Sequence, residues 1–257
     1  MKTYIFILMM IFISGCASSQ EPEEPTEVQV AAASSLQPVF HELEEEIENH
    51  IDNIDVVFQF GGSGALQRQI EQGAPFDIFF SASEADFAAL LEAEKINPEQ
   101  SMDLLGNKLV LIKPAATETP IANLEELAHS DIETIAIGTP ESVPAGKFAQ
   151  ETLENLQMWG ILDDKIVQAR SARQILTYNE TNNVDAGFVF ATDAASSEDV
   201  ETVEKIDTSL HRNIIYPLGI IEETDQPEAA LEVYNFLVSD EAKAVYEAYG
   251  YEVTIDE

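Results

Sequence analysis

Three short loops of small residues carry the chemistry this sequence can offer. Gly61-Gly62-Ser63-Gly64-Ala65 follows the apolar run 54–60 and leads into an amphipathic stretch, with Gly73-Ala74-Pro75-Phe76-Asp77 beyond it. Ala31-Ala32-Ala33-Ser34-Ser35 closes a second apolar run, and residues 140–147 form a third loop of the same kind. Each lies where a strand hands over to a helix. The first helical turn leaves backbone N–H groups unpaired there, and the positive end of the helix favours an anion. Ser34, Ser35 and Ser63 add hydroxyls, and Ser63 stands between Gly62 and Gly64, where main chain can approach a ligand closely. The chemistry implied is capture of a small oxyanion by neutral donors.

Each loop also has a plainer reading. Ser34 or Ser35 can cap the helix that Pro38 opens, and Ser81 and Ser83, flanking Ala82, fit a turn and cap. Ser142-Val143-Pro144-Ala145-Gly146-Lys147 is more distinctive. Pro144 suits a first helical turn, while Ala145 and Gly146 leave their amides uncovered for a tetrahedral dianion. Lys147 is expected to face solvent rather than the ligand.

Catalytic constellations are absent from the pattern. His41, His50, His129 and His211 are scattered without metal-ligand spacing and read as surface residues. No Gly-x-Ser-x-Gly elbow occurs, and the glycine loop lacks the lysine and spacing of a nucleotide phosphate loop. Tyr246, Tyr249 and Tyr251 beside Gly250 read as helix packing and an aromatic end-cap rather than an iron site. No metal bound directly by side chains and no cofactor are expected, and the chain does not read as an enzyme.

Twelve basic residues against 48 acidic ones give a net charge of −36, which excludes nucleic acid as a partner. The acids are spread through helical stretches such as Glu42, Glu44, Glu45, Glu46 and Glu48, as on a solvated surface whose self-repulsion salt screens. Lys2, the apolar run 4–13 and Ser14-Gly15-Cys16 read as a secretory signal, too short to span a bilayer. Ile13-Ser14-Gly15-Cys16 also resembles the bacterial lipobox, which makes Cys16, the one cysteine of the chain, a lipidated membrane anchor. Residues 17–27, rich in Ser, Pro and acids, read as a polar leash.

Positioning the loops requires alternating strands and helices. Strands are predicted at 28–32, 54–60, 76–81, 108–112, 134–138, 165–168, 186–191 and 214–221. Helices are predicted at 38–49, 65–72, 84–93, 124–128, 146–158, 172–179, 227–238 and 240–249. This alternation points to α/β architecture with a parallel sheet, helices on both faces and ligand at the carboxyl ends of the strands.

Taken in order, these segments resemble the periplasmic molybdate-binding proteins of ABC-type uptake systems. The resemblance covers about residues 28–251. It rests on Ala31-Ala32-Ala33-Ser34, Gly73-Ala74-Pro75-Phe76-Asp77-Ile78-Phe79-Phe80-Ser81-Ala82 and Gly106-Asn107-Lys108-Leu109-Val110. It continues through Val143-Pro144-Ala145-Gly146-Lys147-Phe148-Ala149, Gly187-Phe188-Val189-Phe190-Ala191-Thr192-Asp193-Ala194, Tyr216-Pro217 and Tyr249-Gly250-Tyr251. It implies a type II periplasmic binding protein-like fold, two α/β lobes on a two-segment hinge with the ligand in the cleft. The expected division is signal and anchor 1–16, leash 17–27, first lobe 28–107 with 213–257, and second lobe 108–212. The implied ligand is molybdate or tungstate, and the implied partner is an ABC transporter permease, met by a monomer tethered outside the cytoplasm. The implied contacts are Ser34 or Ser35, Ser63, Ala145 and Ala172. Phe190 stands where the family pattern carries a tyrosine hydroxyl, a donor that water, Thr192 or a backbone group would have to replace. A receptor for sulfate or phosphate is the alternative, and a secreted α/β hydrolase a remote one.

Overall fold

The computed structural model describes residues 25–117 and 121–254. Along the chain the strands and helices are β1 (Thr26–Ala33), α1 (Gln37–His50), β2 (Ile54–Gly61), α2 (Ser63–Glu71), β3 (Ile78–Phe80), α3 (Glu84–Glu92), β4 (Ile96–Asn107) and β5 (Leu109–Pro114). They continue as β6 (Ile135–Gly138), α4 (Pro144–Asn155), α5 (Trp159–Leu162), β7 (Ile166–Ala169), α6 (Ala172–Glu180), β8 (Ala186–Phe190), α7 (Ala191–Ala195) and β9 (Val200–Lys205). The last are β10 (Ile214–Ile221), α8 (Pro227–Leu237), α9 (Asp240–Ala248) and β11 (Glu252–Val253). The predicted helix at 124–128 is a 3-10 turn, Leu124–Ala128.

The strands form two sheets, ordered β11-β4-β10-β3-β1-β2 and β7-β6-β8-β5-β9. Both are mixed rather than purely parallel. β1 runs parallel to β2 and β3, but β10 is antiparallel to β3 and β4. In the second sheet β6 is parallel to β7 and β8, whereas β5 is antiparallel to β8 and β9. The sheets are thus two α/β lobes. The chain leaves the first through Lys108 alone, between β4 and β5, and returns between β9 and β10.

Strand periodicity places the helices. In β1 and β3, Ala31 and Phe79 turn to one face, where Leu66 and Ile70 of α2 and Phe87 and Leu90 of α3 cover them. Val30, Ala32, Ile78 and Phe80 alternate to the opposite face and join the main core with Leu43 of α1, Val233 of α8 and Tyr246 of α9. Burial on both faces explains why these strands read as near-continuous apolar runs, broken from Val28 onward in β1 only by the half-buried Gln29.

In the second lobe, α4 lies against β6 at main-chain distance. A Cβ on Gly146 would fall 1.9 Å from the carbonyl oxygen of Gly138. Substitution G146A therefore forces α4 off its strand. Chemical denaturation is expected to show a loss of about 3 kcal/mol, at the upper end of ordinary overpacking costs. A loss below about 0.5 kcal/mol would show that the helix has room to give.

Candidate functional site

Four helix beginnings meet between the two sheets. From the first sheet come the 3-10 turn Ser34–Leu36 at the end of β1 and the start of α2 at Ser63. From the second come the starts of α4 at Pro144 and of α6 at Ala172. Ser34 Oγ accepts the backbone N–H of Ala172 at 3.1 Å, across 138 residues of sequence. Gly62 makes the approach possible. A side chain there would begin 2.5 Å from the carbonyl oxygen of Ser142 and 3.2 Å from that of Arg170. The loops before α2, α4 and α6 therefore touch through main chain.

Ser34, Ser35, Ser63, Ala145, Ala172 and Phe190 are all buried. Neither Ser34 nor Ser35 caps α1, which begins without a side-chain cap. Their hydroxyls diverge, Ser34 toward Ala172 and Ser35 toward the Tyr216 hydroxyl at 3.0 Å. Ser63 Oγ accepts the N–H of Ala82 at 2.9 Å, which leaves its own hydrogen to donate. Ala145 and Ala172 occupy the second and first positions of their helices, where the helix itself leaves the amide unpaired. Phe190 ends β8, with its ring 6.1 Å from Phe148 and 5.8 Å from Tyr216. Its side chain offers an apolar ring and no hydroxyl there.

Ser81 and Ser83 take the structural role expected of them. Ser83 Oγ accepts the N–H of Asp86 at the start of α3, and Ser81 Oγ bonds both main-chain groups of Ser83. His41, His50 and His129 are exposed. His211 departs from the surface reading, because its ring lies 5.7 Å from Phe148 with Nδ1 against the Arg212 carbonyl at 2.6 Å. An aromatic partner 63 residues away in sequence leaves no local signal.

The network beneath the serines went unassigned in the sequence. Asn107 Nδ2 donates to Thr192 Oγ1 at 2.9 Å and to the Tyr216 hydroxyl at 3.2 Å. The Tyr251 hydroxyl donates to the Ser35 carbonyl at 2.7 Å. Burial holds both phenols far above the ordinary tyrosine range, so they stay protonated donors. Tyr216-Pro217 carries no role in the sequence and Tyr251 reads there as part of an aromatic end-cap, since only the fold brings the two phenols under Ser35.

Electrostatically the site relies on dipoles. Among the described residues no lysine or arginine is buried. Lys147, Arg68 and Arg212 act from the rim on Asp86, whose carboxyl burial pushes up while Ser83 and these three cations pull down. Asp193 lies deeper, with Oδ2 accepting the Phe190 N–H at 3.3 Å. Burial raises its carboxyl from 3.8 to about 7, against the opposing pull of the Phe190 amide and Arg173.

A folded-state pKa above the unfolded one means the native protein holds more protons between those values, so stability falls as pH rises through that range. Unfolding free energy measured from pH 4 to pH 8 is expected to decline, with D193N removing part of the slope. The rest belongs to Asp86 and Glu84, whose carboxyls burial also raises, together with repulsion among the surface acids. An unchanged slope in D193N would show that this carboxyl does not titrate with folding.

Three comparisons set this geometry among known proteins. Residues 28–252 match the model of the family described as bacterial extracellular solute-binding protein. The putative ABC transporter substrate-binding lipoprotein YvgL of Bacillus subtilis is 41% identical over 256 residues, covering 97% of this chain and 98% of that protein. The molybdate-binding protein ModA of Haemophilus influenzae is 33% identical, covering 87% of this chain and 89% of its own. Among solved structures, the substrate binding domain of a putative molybdenum ABC transporter from Clostridium difficile superposes with a TM-score of 0.67 at 35% identity. It covers 90% of this chain and 100% of that one.

Proposed function

The chain belongs to the bacterial extracellular solute-binding protein family, a family of binding proteins rather than enzymes, and on that footing we propose that it captures molybdate or tungstate and delivers it to an ABC transporter permease. The observation that carries this reading is the meeting of Ser34, Ser63 and the starts of α4 and α6 between two sheets, with no buried lysine or arginine among the described residues. The proposed ligand set is the Ser34 and Ser63 hydroxyls with the Ala145 amide and the Ala172 amide, whose hydrogen an arriving anion takes over from Ser34 Oγ. Ser35 sits behind Ser34, and Phe190 forms an apolar wall. Four helix or turn beginnings aim partial positive charge at one point, which suits a tetrahedral dianion.

Such a site discriminates by size. Molybdate and tungstate have nearly equal dimensions, whereas sulfate has shorter bonds and leaves the same donors stretched. Each charged hydrogen bond spoiled in this way costs about 1.5–3 kcal/mol. A donor ring free of buried lysine or arginine also escapes the desolvation cost of burying a cation.

The proposed lobes are residues 28–107 with 213–257, and 108–212. Strand membership supports the division, since β1–β4, β10 and β11 share one sheet and β5–β9 the other. Closure of the lobes over the anion would present the surface that the permease reads. The lipobox-like Ile13-Ser14-Gly15-Cys16 lies outside the described residues. The naming of the Bacillus subtilis relative as a lipoprotein supports Cys16 as the anchor of an extracytoplasmic protein.

Calorimetry of the form lacking residues 1–16, with molybdate, tungstate, sulfate and phosphate in parallel at high salt, tests the reading. Tight one-to-one binding of the first two with little response to the others is expected. Ser63→Ala should weaken both by about tenfold or more, the worth of one hydrogen bond to a charge. Binding of sulfate or phosphate in preference would keep the receptor and change its ligand.

A further inference from the structure

The polar network behind the serines has a fixed direction. The Lys108 N–H donates to Asn107 Oδ1 at 2.8 Å, which settles which way the side-chain amide faces. Asn107 Nδ2 then spends its two hydrogens on Thr192 Oγ1 and the Tyr216 hydroxyl. The Tyr216 oxygen accepts from Asn107, and Ser35 Oγ, 3.0 Å away, is the one acceptor that its buried hydrogen meets among the described residues. Ser35 Oγ is thereby the acceptor of that pair and keeps its own hydrogen for a group outside the network. The Tyr251 hydroxyl holds the same residue by its carbonyl, at 2.7 Å. Two phenols therefore grip the serine turn from which Ser34 reaches Ala172.

We propose that Tyr216 is a specificity-determining positioning residue: through Ser35 it fixes the polarity and shape of the Ser34–Leu36 turn, and this rigidity separates larger oxyanions from sulfate. The inference rests on the oxyanion reading of the site. Tyr216 does its work without touching the ligand. Its ring is locked between Phe190 at 5.8 Å and Tyr251 at 5.6 Å, so the hydroxyl cannot swing away from Ser35. A turn held at both its hydroxyl and its carbonyl cannot follow an anion with shorter bonds. A loosened turn can, so removing the grip penalises the larger anion more than the smaller.

The test is calorimetry with tungstate and sulfate on wild type, Tyr216→Phe, Ser35→Ala and the double variant, with thermal melts alongside. Tyr216→Phe and Ser35→Ala should each weaken tungstate about tenfold, because the loosened turn spoils the one charged hydrogen bond that Ser34 makes from it. The double variant should be no weaker than either single one, because both act through one bond. Sulfate should weaken less, so the tungstate-to-sulfate affinity ratio falls. Tyr251→Phe, which frees the Ser35 carbonyl, should lower the same ratio, and it carries the test if Tyr216→Phe fails to fold. An unchanged ratio in a folded Tyr216→Phe protein, or additive losses in the double variant, would overturn the inference while leaving the receptor intact. A wild type that binds no oxyanion would instead remove the receptor reading beneath it.

Discussion

Neutral donors are individually weak, so a site that uses them must bring many to one point, and that convergence is the constraint on which the fold depends. A single helix start offers few free amides. Two sheets, each delivering strand-to-helix loops at its edge, supply four such starts, and the contact between Ser34 Oγ and the Ala172 N–H is where they join. The mixed order of strands follows from this need. β10 and β4 run against their neighbours, which lets the chain pass from one sheet to the other and back beside the meeting point.

Much of this was legible because the governing signals are local. Near-continuous apolar runs marked β1 and β8, the apolar-rich run 54–60 with Asp55 and Gln59 in it marked β2, and small residues after strands marked the loops that converge. What escaped had either no run or a partner remote in sequence. β4 contains Asn97, Pro98, Glu99 and Asp103, is only exposed or half-buried across residues 97–103, and so never reads as a strand. β9, with Glu201, Glu204 and Lys205, is an edge strand whose charges blunt the edge and erase the alternation at once. The antiparallel placement of β5 and β10 is likewise invisible to periodicity, which reports faces and not directions.

The site was legible in part. Glycine, serine and proline at helix starts announce themselves by type, so Ser34, Ser63 and Ala145 stood out. The difference between Ser34 and Ser35 did not, because it lies in their partners, Ala172 for one hydroxyl and Tyr216 for the other. Asn107 had no signal beyond its place after Gly106. Its meaning lies in joining Thr192 to Tyr216 at the spot where one residue, Lys108, carries the chain between lobes.

The closeness of α4 to β6 has a bearing on how the site keeps its size. Where Gly146 rests on Gly138, and where Gly62 meets Ser142 and Arg170, the spacing is set by peptide against peptide, with no side chain between. Side chains change rotamer and yield to small shifts in packing, whereas bonded main chain at van der Waals distance barely compresses. The pocket's bore is therefore gauged by the least deformable material a protein has. Substitutions that drift through the surrounding core over evolutionary time can alter how firmly the lobes hold together while leaving the width of the aperture where it was.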